Sequence, residues 1–136
     1  ALVKDIPADR KTPKAEALLQ LAWSRINKVA WNRILHDPDS VRAYEDAQAS
    51  STLAELPLDK FLAEYTMAYS MIFMPGYGDK GKMLQHLTEA KRWFDETPGR
   101  DDEVWRYFLA SEGLKAVLDA DPMFQPILAA TEKPKG

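Results

Sequence analysis

The sequence contains no cysteine. Disulfides, cysteine-ligated zinc, iron–sulfur clusters, covalently attached haem and thiol nucleophiles are therefore excluded for these residues. Histidine is nearly as scarce, with only His36 and His86. No serine sits in a G-x-S-x-G context, so nothing marks a nucleophile, and no catalytic residue is singled out. Long apolar runs are also missing. The stretch Met67 to Met74 is interrupted by Tyr69 and Ser70 and ends at Pro75. That falls well short of the ~20 apolar residues a bilayer demands, so no membrane insertion is expected. An excess of basic charge is lacking too. The formal net charge is −3, and the lysines and arginines are interspersed with acids. This argues against nucleic acid and anionic lipid as partners.

With no covalent staple, the fold has to rest on its core. The chain has 136 residues, 46% of them apolar and 29% charged. A single domain of that size buries roughly two thirds of its unfolded surface, which suffices. The expectation is a soluble chain. It is cytoplasmic, or exported if Ala1 follows a cleaved signal peptide.

Apolar periodicity predicts an all-α fold, a compact bundle of about five helices, with a short array of helical hairpins as the alternative. Residues 1–12 read as an extended arm, 13–130 as one helical domain and 131–136 as a disordered tail. Thr12-Pro13 reads as a cap followed by a first-turn proline. Leu19, Trp23, Ile26, Ala30 and Ile34 then recur at three- and four-residue spacing, predicting a central helix over 14–35. Asp37-Pro38 starts a short second helix over 39–49, broken by the hydroxyl run Ser50-Ser51-Thr52. Leu53, Leu56 and Leu58 surround Pro57 in a turn expected to pack on the core. A third helix over 58–74 shows two apolar faces, a fourth covers 80–96, and a fifth covers 101–119 with Gly113 as its weak point. A short segment over 122–130 follows Asp121-Pro122.

Three patterns invite a chemical reading. Gly76-Tyr77-Gly78-Asp79-Lys80-Gly81-Lys82 has the spacing of a phosphate-binding loop. The next residue is Met83, where magnesium binding needs a hydroxyl, and although Ser70 to Met74 could form a strand in isolation, the chain offers no second strand to pair with it. A glycine-rich link between helices explains it better, and no nucleotide binding is expected. Met67, Met71 and Met74 share a helix face, and Met83 and His86 follow on the next helix. Thioethers and an imidazole suit Cu(I) or haem iron, so these five residues define a metal or cofactor alternative. Gap-filling by methionine competes with it. The acidic runs Asp37/Asp39, Asp101-Asp102-Glu103 and Asp119/Asp121 lack the spacing of a calcium loop and suit helix starts instead.

By subtraction, the sequence reads as a helical protein-interaction module or accessory subunit, with no catalysis of its own and no cofactor. A protein partner or self-association is expected. Trp31 and Trp105 lie among polar neighbours, and amphipathic aromatics favour interfaces, with core burial the competing role. Phe124 shares a helix face with Ile127 and Leu128, able either to close the bundle or to dock on another chain. A small-molecule, haem or metal-binding bundle using the Met and Tyr faces is the alternative, and a stand-alone enzyme comes third.

Overall fold

The computed structural model describes residues 6–7, 9–32, 38–73, 80–99, 101–110 and 112–129. Among them there are seven α-helices, one 3-10 turn and no strand. The helices are α1 (Lys11–Asn32), α2 (Pro38–Leu53), α3 (Pro57–Met71), α4 (Lys80–Asp95), α5 (Asp102–Leu109), α6 (Glu112–Ala120) and α7 (Gln125–Ala129). The 3-10 turn, Pro122–Phe124, precedes α7. The all-α expectation holds. No described helix is long and apolar enough to cross a membrane.

Four differences from the sequence reading have local causes. The hydroxyl run does not break α2. Ser50 Oγ donates to Ala15 O at 2.6 Å, Ser51 Oγ to Glu64 Oε2 at 2.8 Å, and Thr52 Oγ1 to Gln48 O at 3.1 Å. Ser50 and Ser51 are bonded to other helices, and Thr52 makes the i−4 back-bond that a helix tolerates, so the ladder continues to Leu53. Thr12 is no cap, because the helix already starts at Lys11, and its Oγ1 donates to Glu55 Oε1 at 3.2 Å. The predicted fifth helix divides at Ala110, whose φ of −84° and ψ of 0° end α5 while its N–H closes onto Arg106 O and Tyr107 O. Leu56 and Leu58 do not pack down but stay 49% and 48% exposed.

Each helix from α1 to α4 packs on the next, and α1 also reaches α3. Ala15 of α1 meets Ser50 of α2, and Arg25 meets Asp46, so these two helices are antiparallel. Trp23 of α1 lies against Tyr65 and Tyr69 of α3, while Glu16 lies by Asp59, so α1 and α3 are parallel. Phe61 meets Trp105 and Tyr65 meets Phe108, which sets α5 parallel to α3 as well. Helices α1, α3 and α5 thus form one layer. Tyr44 of α2 meets His86 of α4 in the other. One core runs from Ala22 and Ile26 through Phe61, Leu87 and Phe94 to Leu118, Phe124 and Ile127.

Candidate functional site

The outer face of the α1/α3/α5 layer carries an apolar strip. Leu58, Leu62, Tyr65 and Tyr69 recur along α3 at i, i+4, i+7 and i+11, so they share one face. On one side Trp23 stacks on Tyr65 with ring centroids 6.1 Å apart, and Tyr65 stacks on Tyr69 at 6.0 Å. On the other side Phe108 meets Tyr65 edge-on at 4.7 Å, and Tyr65 Oη donates to Phe108 O at 2.9 Å. Tyr65 is buried beneath this layer, whereas Trp23, Leu62, Tyr69 and Phe108 are only half-buried. Leu58 is 48% exposed and Val104 41%. These two, with Leu62, Phe108, Pro98 and Asp101, line a hollow of about 340 Å³ at the start of α3. Gly99 turns the wall of this hollow with a φ of +69°, a conformation that favours glycine.

At the same end, where α1 and α3 meet, two carboxyl groups face each other. Asp59, in the first turn of α3, is 5% exposed. Burial, and then the neighbouring charge of Glu16 and a hydrogen bond between the two carboxyls, push the Asp59 pKa up to about 6. Its Oδ2 has no hydrogen-bond partner. Because the folded chain holds this proton longer than the unfolded one, stability falls as pH rises from about 4 to about 6. The penalty stands in full above that window. Asp59→Asn is therefore expected to stabilise the fold by about 2 kcal/mol at pH 7.5 and by almost nothing near pH 4. Urea unfolding at the two pH values checks this, and an equal effect at both would refute it.

The α2/α4 layer holds a polar chain. Ser51 Oγ donates to Glu64 Oε2 at 2.8 Å, His86 Nδ1 lies 2.8 Å from Glu64 Oε1, and Tyr44 Oη lies 2.8 Å from His86 Nε2. The tautomer with its proton on Nδ1 satisfies both imidazole contacts, donating to the carboxylate and accepting from the phenol. Tyr44 and Ser51 stand seven residues apart on α2, Glu64 comes from α3 and His86 from α4. The chain therefore ties three helices together. Glu64, His86, Gln85, Thr88 and Glu89 also border a hollow of about 430 Å³.

The chain matches no protein-family model, no curated protein and no solved structure. The site must stand on geometry alone.

Of the residues singled out by sequence, Trp105 is 1% exposed, packed between Phe61 and Phe94. Phe124 and Ile127 are buried in the shared core, and Leu128 packs against it. The segment therefore closes the end of the bundle, with α7 resting on α4. Asp121 fixes its entry. The Asp121 carboxylate accepts from Met123 N at 3.0 Å and from Lys80 Nζ at 3.2 Å, and in that order these bonds hold its pKa below the usual range. Met67, Met71 and Met83 are buried in the core. Both ring nitrogens of His86 are hydrogen-bonded to protein groups, so the geometry does not turn it towards these thioethers as a ligand set. Met74, the side chain of Trp31 and most of the glycine-rich loop, 76–79, lie outside the described residues.

Sequence reasoning missed Tyr44, Glu64, Ser51 and the Glu16–Asp59 pair. No local motif announces contacts between residues 22 and 42 positions apart. The strip did leave a signal, the second apolar face of α3.

Proposed function

We propose that this chain is a helical protein-interaction module or accessory subunit, without catalysis of its own, whose α1/α3/α5 face receives the apolar side of a partner helix. One observation carries the reading. Leu58 and Val104 stand exposed beside the hollow, and the half-buried Trp23, Leu62, Tyr69 and Phe108 extend the apolar surface from them. A folded monomer gains nothing by ordering aromatic and aliphatic groups around an unfilled hollow, and such patches mark interaction sites. Here α3 runs between α1 and α5, and an apolar helical face of this kind can receive the apolar side of another helix. Its anchors, Trp23, Tyr69 and Phe108, are amphipathic or aromatic side chains of the kind that dominate interface energetics.

The polar hollow beside His86 supports a second reading, a small hydrogen-bonding ligand. It is the weaker of the two, because both His86 nitrogens and both Glu64 oxygens already have partners within the chain.

The test replaces exposed strip residues by polar ones of low structural cost. Helical peptides selected on the wild-type protein from a displayed random library are expected to bind the Leu58→Ser/Val104→Ser variant at least tenfold more weakly. The variant's melting temperature should stay close to that of the wild type, since both side chains are largely outside the core. Sedimentation of the two proteins over a range of concentrations shows whether self-association uses the same face. Unchanged peptide affinity and unchanged association in the variant would overturn the reading.

A further inference from the structure

We propose that the partner helix is α5 of a second copy of this chain, so that two copies pair about a two-fold axis and each seats its Tyr107 in the hollow of the other. This rests on the docking reading above and names the occupant.

Helix α5 spans eight residues and is apolar on two sides. Trp105 and Leu109, four apart, face the core at 1% and 5% exposure. Val104, Tyr107 and Phe108, at i, i+3 and i+4, share the outer face. Tyr107 is 75% exposed, the most open of the large apolar residues described. The inner face accounts for the place of α5 in the fold. The outer face adds little to a monomer, because its tyrosine stays in solvent.

That outer face is complementary to itself. Val104, Phe108 and Asp101 line the hollow together with Leu58 and Leu62 of α3. Tyr107 does not line it, yet its ring lies 6.0 Å from the ring of Phe108. A knob and a hole therefore sit side by side, and the knob does not fill its own hole. A two-fold axis across α5 brings each knob to the other copy's hole, so both contacts form together and the assembly closes as a dimer. A foreign helix fills the hole but needs a further feature to cover Tyr107. The hollow of about 340 Å³ has room for a phenol ring, and Phe61 and Phe94 add aromatic walls to that of Phe108. At its rim the exposed Asp101 carboxylate accepts from Glu103 N through Oδ1, and a tyrosine hydroxyl arriving there finds an acceptor.

Charge favours the same pairing. Asp101, Asp102 and Glu103 stand at the start of α5, and Arg106 stands in its last turn. Two such helices crossing antiparallel set the acidic start of each towards the basic end of the other and oppose their dipoles. A parallel crossing sets acid against acid. The patch is only a few side chains per copy, so the dimer is of the small, transient kind.

Sedimentation equilibrium of the full chain from about 5 µM to about 1 mM should show monomer and dimer in reversible balance. Tyr107→Ser and Leu58→Ser/Val104→Ser should each raise the dimer dissociation constant at least about tenfold. Their melting temperatures should stay close to that of the wild type, because Tyr107, Leu58 and Val104 are exposed. Mixing the two variants separates a seated Tyr107 from a general loss of apolar surface. The Tyr107→Ser chain keeps its hollow and the Leu58→Ser/Val104→Ser chain keeps its tyrosine, so a mixed pair retains one of the two contacts. A fluorescently labelled Tyr107→Ser chain titrated with the other variant should therefore bind it several-fold more tightly than either variant binds itself. A wild type that stays monomeric throughout, a Tyr107→Ser chain that associates like the wild type, or a mixed pair no tighter than the variants alone would each overturn this inference. In those cases the docking reading stands if selected peptides bind and lose affinity in Leu58→Ser/Val104→Ser, the occupant then being a foreign helix. If neither peptides nor a second copy depend on Leu58 and Val104, the docking reading fails and takes this inference with it.

Discussion

Replacing Trp105 by alanine is expected to cost about 3–5 kcal/mol of folding stability, the largest single-residue effect predicted for this chain. The indole is 1% exposed and lies against Phe61 at 6.0 Å and Phe94 at 5.8 Å between ring centroids. Phe61 in turn meets Phe94 at 5.1 Å and Phe108 at 5.4 Å. One cluster therefore joins α3, α4 and α5, and truncating its largest member leaves a cavity that rigid helices cannot close. A domain of this size has about 5–15 kcal/mol in all, so the variant should unfold at a much lower urea concentration and melt about 10 °C or more below the wild type. Trp105→Phe separates packing from polarity. The indole N–H is buried with no hydrogen-bond partner, and phenylalanine removes that liability while keeping an aromatic ring. Its loss should be less than half that of alanine. A loss below about 1 kcal/mol for alanine would mean that α5 is not anchored through this ring.

The contrast between Trp105 and Leu58 shows where sequence reading reaches and where it stops. Periodicity located the helices because an apolar face imposes its own spacing, whichever neighbour covers it. It said less about which apolar residues would be covered. Trp105, between Val104 and Arg106, is buried, whereas Leu58, in a leucine-rich stretch at the start of α3, is open. Burial is decided by the helix that lies opposite, and that is a property of the whole fold. Ser50-Ser51-Thr52 misled for the same reason. A hydroxyl run weakens a helix when it competes for nearby backbone groups, and here Ser50 and Ser51 instead find partners on α1 and α3. The two polar sites are further still from local rules. Glu16 and Asp59 are ordinary surface-type acids until α1 and α3 lie side by side. The apolar strip was the most legible part of the candidate site, as a second apolar face on α3, although two such faces point to burial on both sides and not to the exposure of Leu58.

Replacing His86 by alanine is expected to cost about 2–4 kcal/mol, more than any other change in the α2/α4 layer. The imidazole is the middle of a chain that runs from Tyr44 through Glu64 to Ser51. Removing it deletes two hydrogen bonds, one of them to a carboxylate, and leaves Glu64 held by Ser51 alone in a site only 14% exposed. Tyr44→Phe removes a single hydroxyl and keeps the ring, which packs edge-on to His86 at 5.5 Å and lies under Lys82. About 1 kcal/mol is expected there. The decisive measurement is the double variant. Once His86 is gone, the Tyr44 hydroxyl has lost its partner, so Tyr44→Phe should then cost almost nothing further, a departure from additivity of about 1 kcal/mol. Additive losses would mean that the four side chains are neighbours and not a network. The same variants test the separation of the two layers. Tyr44, Glu64 and His86 tie α2, α3 and α4 together on the side away from Trp23 and Phe108. A His86→Ala protein kept below its lowered melting temperature should therefore bind strip-directed peptides with wild-type affinity. A matching loss of binding would show that the strip depends on the His86 clamp for its shape, and that α1, α3 and α5 do not hold it by themselves.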